Sequence, residues 1–124
     1  MSDIEAYPRG GGAKKIKEDM YKLERTALAF TTGVLTLNFT VEAWAKLSLI
    51  VFEMPKFTGA DPTGTVSIEN GNDVEIYSRG LMAEDETHVR TVAVPLAGDN
   101  TIKVTLSTDP LSSGTCYVTL YLEG

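Results

Sequence analysis

The chain has 124 residues, of which 43% are hydrophobic and 23% are charged, and it carries a formal net charge of −6 at pH 7. This length favours one domain, the single cysteine excludes an internal disulfide, and no apolar run approaches the roughly 18 residues of a membrane-spanning helix. Residues 31–124 hold five cations and twelve anions. Because such an acidic body repels nucleic acid and anionic membranes, we expect neither as a partner. The N-terminus lacks the pattern of a secretory signal, which predicts synthesis in the cytoplasm.

Residues 1–13 predict an extended arm. The stretch contains Pro8 and three consecutive glycines at 10–12, which leave the backbone many conformations. Ordering such a segment costs about 1–2 kcal/mol per residue, and its few apolar side chains cannot offset that cost within one subunit. We therefore expect a neighbouring subunit to bind the arm, and packing of the arm on its own domain is the alternative. The candidate contact residues of this interaction arm are Ile4, Tyr7, Pro8, Arg9, Lys14 and Lys15.

Residues 14–30 predict one short amphipathic α-helix. Apolar residues recur there at steps of four, three, four and three, which is the spacing of one helical face. They are Ile16, Met20, Leu23, Ala27 and Phe30. Because a helix this short is marginal in isolation, we expect it to pack on the sheet or on a partner.

Residues 31–124 predict an antiparallel β-sandwich of jelly-roll type with about seven or eight strands. Apolar and polar residues alternate in steps of two, and turn signals recur roughly every ten residues. Two of the predicted inward-facing sets are Leu47, Leu49 and Val51 in one strand, and Cys116, Val118, Leu120 and Leu122 in the last strand. Because Ile50 and Phe52 are apolar too, coverage of the first of these strands on both faces is the alternative. The chain is therefore expected to be mainly β after residue 30.

Two turns are predicted within this domain. Asn70-Gly71 lies between alternating runs, which is the signal for a two-residue type I′ turn, and this turn would pair Glu69 with Asn72. Residues 97–100 predict a second turn between two short strands. Each turn would close a hairpin.

Catalytic chemistry is not indicated by the sequence. The one histidine, His88, and the one cysteine, Cys116, are 28 positions apart, and Cys116 alternates in phase with apolar residues, as a small core residue does. We therefore expect Cys116 in the core, His88 exposed at the start of a strand, and no enzyme activity. A small β-sandwich enzyme would require His88 beside Cys116 or a carboxylate in a cleft.

Metal and cofactor sites are also not expected. Residues 84–86 form a carboxylate cluster, and four aspartates lie in predicted turns: Asp61, Asp73, Asp99 and Asp109. Such loops could bind a hard cation such as calcium, but the spacing of a calcium-binding loop is missing. Aspartate in turns commonly caps local backbone amides instead.

Four aromatic residues could form a sugar-binding platform: Trp44, Tyr77, Tyr117 and Tyr121. Tyr117 and Tyr121 share one face of the last predicted strand. The competing interpretation, which we favour, is that Met20 and Leu23 of the predicted helix cover that face.

The N-terminal arm, the predicted strands and two segments, GDNTIKV (98–104) and GTCYVTLY (114–121), resemble the small β-sandwich virion proteins of tailed bacteriophages. This resemblance to capsid decoration or cement proteins implies a non-enzymatic structural protein of the virion that binds and stabilises the major capsid lattice. It also implies a homo-oligomer, often a trimer, whose arm reaches other virion subunits. The alternative is a carbohydrate- or receptor-binding module of a fibre or tail.

Overall fold

A computed structural model describes residues 14–17 and 20–124 of the chain. These residues form eight strands: β1 (Lys14–Lys17), β2 (Met20–Lys22), β3 (Thr26–Phe30), β4 (Thr36–Met54), β5 (Gly64–Glu69), β6 (Glu75–Met82), β7 (Glu86–Leu106) and β8 (Gly114–Glu123). Every pairing between them is antiparallel. The prediction of a mainly β, antiparallel chain is therefore confirmed. Within the described ranges no helix is long and apolar enough to cross a membrane.

The strands form one sheet in the order β1-β2-β8-β4-β7-β5-β6, and β3 also pairs with β8. Its centre is a long ribbon of β4 and β7 that runs from the pair Thr36–Thr105 to the pair Met54–Glu86. The turn predicted at residues 97–100 is wrong, because β7 continues through it. Gly98 adopts a φ of 83°, which glycine allows, and it stays paired with Ala43 of β4.

The β4–β7 ribbon folds back on itself. Its register shifts between Leu47 and Leu49, the kind of irregularity that bends a strand. Gly64 in β5 pairs with Leu106 near one end of the ribbon, yet a Cβ atom on Gly64 would lie only 2.9 Å from the ring of Phe52 near the other end. The two halves of the ribbon therefore enclose one hydrophobic core. The jelly-roll type of this arrangement stays a prediction.

The helix predicted for residues 14–30 is wrong, because the described part of this range contains the strands β1, β2 and β3. The buried side chains are Tyr21, Leu23, Leu28 and Phe30, which are spaced by two within each pair, whereas Ala27 of the predicted helical face is exposed. The reason is a set of tertiary contacts with β8. β2 and β3 both pair with the edge of β8, and Leu23 N donates a hydrogen bond to Leu120 O. A short helix would gain little by comparison.

The predicted arm falls largely outside the described residues. Four of its candidate contact residues lie outside the described ranges, so their role stays a prediction: Ile4, Tyr7, Pro8 and Arg9. Lys14 and Lys15 belong to β1, where their backbones pair with Lys22 and Tyr21.

The Asn70-Gly71 hairpin forms, but its turn differs from the predicted type I′ turn. Asp73 N donates to Asn70 O, and Asp73 rather than Gly71 takes the left-handed conformation, with a φ of 61°. The Asn70 side chain fixes the longer loop, because Oδ1 accepts hydrogen bonds from the backbone of Asn72 and Val74. As a result Glu69 pairs with Glu75.

Candidate binding surface

An outward-facing surface spans β8, β4 and β7 on the side of the sheet opposite the core. Direct strand partners place their side chains on the same face. Three rows of such partners form this surface, which we call the outer face: Tyr117–Glu53–Thr87, Thr119–Val51–Val89 and Tyr121–Leu49–Thr91. Between these rows, alternate residues such as Phe52, Val118 and Leu120 point into the core.

The outer face is apolar at its centre and incompletely covered. Val89 is 53% exposed, and Leu49, Val51, Tyr117 and Tyr121 are half-buried. The prediction that Leu49 and Val51 face inward together with Leu47 is therefore wrong. The register shift after Leu47 moves the inward positions to Ile50 and Phe52, and a shift of one residue exchanges the two faces of a strand.

Two ion pairs lie at opposite ends of the outer face. At one end Arg25 donates two hydrogen bonds to Glu53, from Nε at 2.8 Å and from Nη2 at 2.6 Å. At the other end Lys46 Nζ lies 3.0 Å from a carboxylate oxygen of Glu123. The outer face thus has an apolar centre and a charged rim, which is the anatomy of protein–protein interfaces.

Arg25 also contacts Tyr117. Its guanidinium carbon lies 3.4 Å from the centroid of the Tyr117 ring, which is a cation–π contact. The hydrogen bonds from Arg25 lower the pKa of Glu53 below its usual value, and the same bonds raise the pKa of Arg25. The pair is therefore fully charged at neutral pH.

A groove of about 350 Å³ borders the outer face beside this ion pair. Its lining combines Arg25, Glu53 and Tyr117 with hydroxyl, carboxylate and apolar groups from the adjoining strands and loops: Met54, Pro55, Asp85, Glu86, Thr87 and Thr115. Asp85 is held in a left-handed conformation, with a φ of 59°, and its backbone N donates to Pro55 O. The groove offers many hydrogen-bonding groups.

The four predicted platform aromatics do not assemble into one surface. Tyr117 and Tyr121 share the outer face as predicted, but the guanidinium of Arg25 occupies one side of the Tyr117 ring. Trp44 is half exposed in the other half of the ribbon, beyond the register shift, and Tyr77 lies in β6 opposite Ile68. The predicted helical cover is also wrong, since Leu23 belongs to the core.

Cys116 and His88 have separate structural contacts. Cys116 is fully buried, as predicted, with its Sγ 3.7 Å from Met54 Sδ, and burial raises the pKa of its thiol to about 12. His88 is buried rather than exposed, because it pairs with Phe52, stacks against its ring and donates from Nε2 to Ala83 O at 2.8 Å. The position of His88 in the sequence did not reveal that the start of β7 is buried against Phe52 and the Ala83 carbonyl.

Two acidic residues of the loops, Glu84 and Asp109, cap backbone amides. Glu84 accepts a hydrogen bond from Phe57 N, and one carboxylate oxygen of Asp109 accepts from Gly33 N and from Leu111 N. These two bonds lower the pKa of Asp109. The interpretation of turn aspartates as caps is confirmed for Asp109. Across residues 14–17 and 20–124, no group of three or more His, Cys, Asp or Glu side chains could hold a metal ion.

Comparison with known proteins gives distant structural similarities alone. No protein family and no curated protein matches the chain. Among solved structures, an isomalto-dextranase of Arthrobacter globiformis T6 is 20% identical with a TM-score of 0.46 over 72% of this chain. A carbohydrate-binding module, CBM36, in complex with calcium and xylotriose is 18% identical with a TM-score of 0.44 over 79% of this chain and 86% of its own. A protein of the T13 particle of infectious bursal disease virus is 13% identical with a TM-score of 0.45 over 85% of this chain.

The lengths of these proteins differ from that of the chain. The chain spans 18% of the isomalto-dextranase and 31% of the viral protein. At these identities and TM-scores the similarities carry no inference about ligand or activity.

Proposed function

We propose that this protein is a non-enzymatic structural protein that joins a larger assembly through its outer face. In the specific form of the proposal it is a virion protein of a tailed bacteriophage, a capsid decoration or cement protein that binds the major capsid subunits. The predicted N-terminal arm would add contacts to other virion subunits, and the protein would act as a homo-oligomer, possibly a trimer. The observation that carries the proposal is the apolar centre and ion-paired rim of the outer face.

The energetic argument concerns the apolar side chains of that face. Burying a valine or leucine side chain contributes about 1.5–3 kcal/mol, so an exposed side chain such as Val89 is a source of binding free energy. Tyrosines are enriched among residues that dominate binding energy at interfaces, and both Tyr117 and Tyr121 lie here. The ion pairs at the rim would select orientation more than they add affinity.

The first test changes one residue of the outer face and uses a matched control elsewhere. Val89→Lys places a charge at the apolar centre, and Val74→Lys makes the same change at a valine that is 54% exposed in the β5–β6 hairpin. We expect light scattering to give an oligomer for the unmodified protein and for Val74→Lys. Val89→Lys should weaken association by about tenfold or more in Kd. Equal association of both variants would refute the outer face as the interface, and circular dichroism checks that both variants fold.

A second test addresses the virion. Antibodies raised against the purified protein are applied to phage particles from cells that carry the gene, and gold labelling is viewed by electron microscopy. Labelling over the head supports a decoration protein. Labelling confined to the tail or fibres rejects decoration and supports the alternative. Unlabelled particles reject a virion role.

The alternative function is a carbohydrate- or receptor-binding module of a fibre or tail. The groove beside Arg25 and Glu53 supports it, because hydroxyl and carboxylate groups line the groove next to the ring of Tyr117. A glycan array read with the labelled protein tests this alternative, with Thr87→Val and Tyr117→Ala as variants. Saturable binding that both variants lose would support it, and an array without binding would remove it.

A further inference from the structure

One side of β4 has no partner strand over residues 36–45 within the described part of the chain. β7 pairs with β4 along the other side from Thr36 onward. β8 pairs with the near side of β4, but only from Lys46 onward. We call the unpaired side of residues 36–45 the open edge.

The hydrogen bonds of the β4–β7 ladder show which backbone groups lie at the open edge. Leu106 N donates to Leu35 O, and these two residues continue the register of the pair Thr36–Thr105. Hydrogen-bonded and non-hydrogen-bonded positions alternate in an antiparallel pair. The odd-numbered residues of this stretch therefore bond to β7, and the even-numbered residues direct their amide and carbonyl groups to the open edge. The even-numbered residues are Thr36, Asn38, Thr40, Glu42 and Trp44.

The other edges of the sheet have features that oppose pairing with a further strand. β1 and β3 are only four and five residues long. β6 has two register shifts, and Leu81 within it takes a left-handed conformation with a φ of 59°. The first half of β7 contains Pro95, which has no N–H to donate. Short strands, bulges and prolines are devices that keep sheet edges from pairing with other chains.

The open edge lacks these devices. Residues 36–45 contain no proline, and the register shift of β4 comes later, between Leu47 and Leu49. Glu42 is the one charged residue of this stretch. A long edge strand without protection is a template for a strand of another chain.

We propose that two copies of this chain pair antiparallel along the open edge, with Val41 opposite Val41 of the partner subunit. In this two-fold dimer one sheet continues from one subunit into the other. The backbone of Thr40 bonds to the partner's Glu42, and that of Asn38 bonds to the partner's Trp44. The outer face lies beyond the register shift of β4, so the dimer goes beyond the proposed assembly function and does not depend on it.

The core-facing side chains of the open edge are self-complementary in this register. A shift by one residue would place core-facing side chains opposite outward ones, so only shifts by two are alternatives. Phe39 and Leu37 are partly buried against the core, and Ala43 is fully buried. Phe39 lies opposite the partner's Ala43, and Leu37 lies opposite the partner's Ala45. Each pair thus places a large side chain beside a small one.

The outward side chains favour the same register. Glu42 lies opposite the partner's Thr40, so its charge meets a hydroxyl group. A shift by two residues in one direction would place Glu42 opposite Glu42 of the partner subunit, and like charges directly opposite destabilise a sheet. A shift in the other direction would place Phe39 opposite the partner's Val41, where both side chains are large.

A cysteine in place of Val41 tests this pairing directly. The backbone groups of Val41 bond to β7, so the two Val41 residues form a non-hydrogen-bonded pair with Cα atoms about 4.5 Å apart, a distance that a disulfide spans. Under mild oxidation Val41→Cys should give a disulfide-linked dimer on a non-reducing gel. Thr40→Cys is the matched control and should not, because the two Thr40 residues are diagonal neighbours about 7–8 Å apart. Burial raises the pKa of Cys116 to about 12, so the native thiol does not react.

Light scattering in a Val89→Lys background separates this dimer from association through the outer face. Val89→Lys alone should remain a dimer. Adding Thr40→Pro removes an N–H at the open edge and leaves the bonds to β7, so it should weaken dimerisation by about tenfold or more in Kd. Adding Thr40→Ala, which keeps the N–H, should leave the dimer unchanged. Circular dichroism checks that each variant folds, and the cysteine test stands if Thr40→Pro does not.

The outcomes distinguish the two interfaces. A monomeric Val89→Lys protein beside an oligomeric unmodified chain would support the outer face and overturn the open-edge dimer. Equal association of the folded Thr40→Pro and Thr40→Ala proteins would also overturn it. A disulfide in Thr40→Cys without one in Val41→Cys would overturn the proposed register.

Discussion

Gly64→Ala tests whether the two halves of the β4–β7 ribbon face each other. The added methyl group would lie 2.9 Å and 3.0 Å from two ring carbons of Phe52 and 3.2 Å from Met54 Sδ. Phe52 is 1% exposed, so its ring has little room to move. Overpacking of this kind costs about 1–3 kcal/mol, whereas replacing glycine in a strand otherwise gains about 0.5–1 kcal/mol. We expect a net loss of about 1–2 kcal/mol in the free energy of unfolding.

The assay is urea unfolding followed by circular dichroism, with Gly71→Ala as the control. A Cβ atom on Gly71 would meet only Asp99 O, at an ordinary distance of 3.4 Å, so this change should be neutral or stabilise by about 0.4–1 kcal/mol. Phe52→Leu combined with Gly64→Ala should recover part of the loss, with a coupling energy of about 1 kcal/mol. A Gly64→Ala protein as stable as the unmodified chain would refute the folded ribbon.

Two further predictions concern the ion pair at the rim and the first thirty residues. The pKa of Glu53 is lowered in the folded protein, so its contribution to stability is present above the unfolded pKa and disappears as the pH falls through the folded pKa. Acid titration of the urea midpoint should therefore show a smaller decrease for Glu53→Gln than for the unmodified chain, and identical decreases would contradict this. Deletion of residues 1–13 should leave the fold intact, whereas deletion of residues 1–30 should unfold it. The second deletion removes the buried side chains of Tyr21, Leu23, Leu28 and Phe30. Each contributes about 1.5–3 kcal/mol, and the net stability of a domain is of the order of 5–15 kcal/mol. A cooperative unfolding transition in the chain that lacks residues 1–30 would contradict the strand assignment.

The sequence correctly predicted which side chains of a strand face the core where the apolar residues lie on one face of that strand alone. In β8 the alternating residues Cys116, Val118, Leu120 and Leu122 are all buried as predicted, because a single face of that strand is consistently apolar. In β4 the run LSLIVF is apolar on both faces, so its phase depends on a register shift that only the partner strands determine. The helical spacing of residues 16–30 was likewise overridden by an edge of β8 more than eighty residues later.

The candidate site was predictable only in part, for a related reason. That Tyr117 and Tyr121 share a face follows from their spacing in a strand. Arg25 contacts the ring of Tyr117 and donates hydrogen bonds to Glu53. These three residues come from separate segments of the chain, so no local sequence pattern predicts their contact.

The correction of the first thirty residues changes what an assembly interface requires. A helix over residues 14–30 would have covered Tyr117 and Tyr121 and left the arm as the principal means of contact. Residues 20–30 instead extend the sheet at β8 and bury Leu23, Leu28 and Phe30 in the core. Val89 on the neighbouring ribbon is left more than half exposed. An exposed apolar sheet face is a liability for a protein that acts alone, whereas for a protein that joins an assembly it supplies affinity. The proposed interface therefore belongs first to the outer face, and the arm would add reach to it.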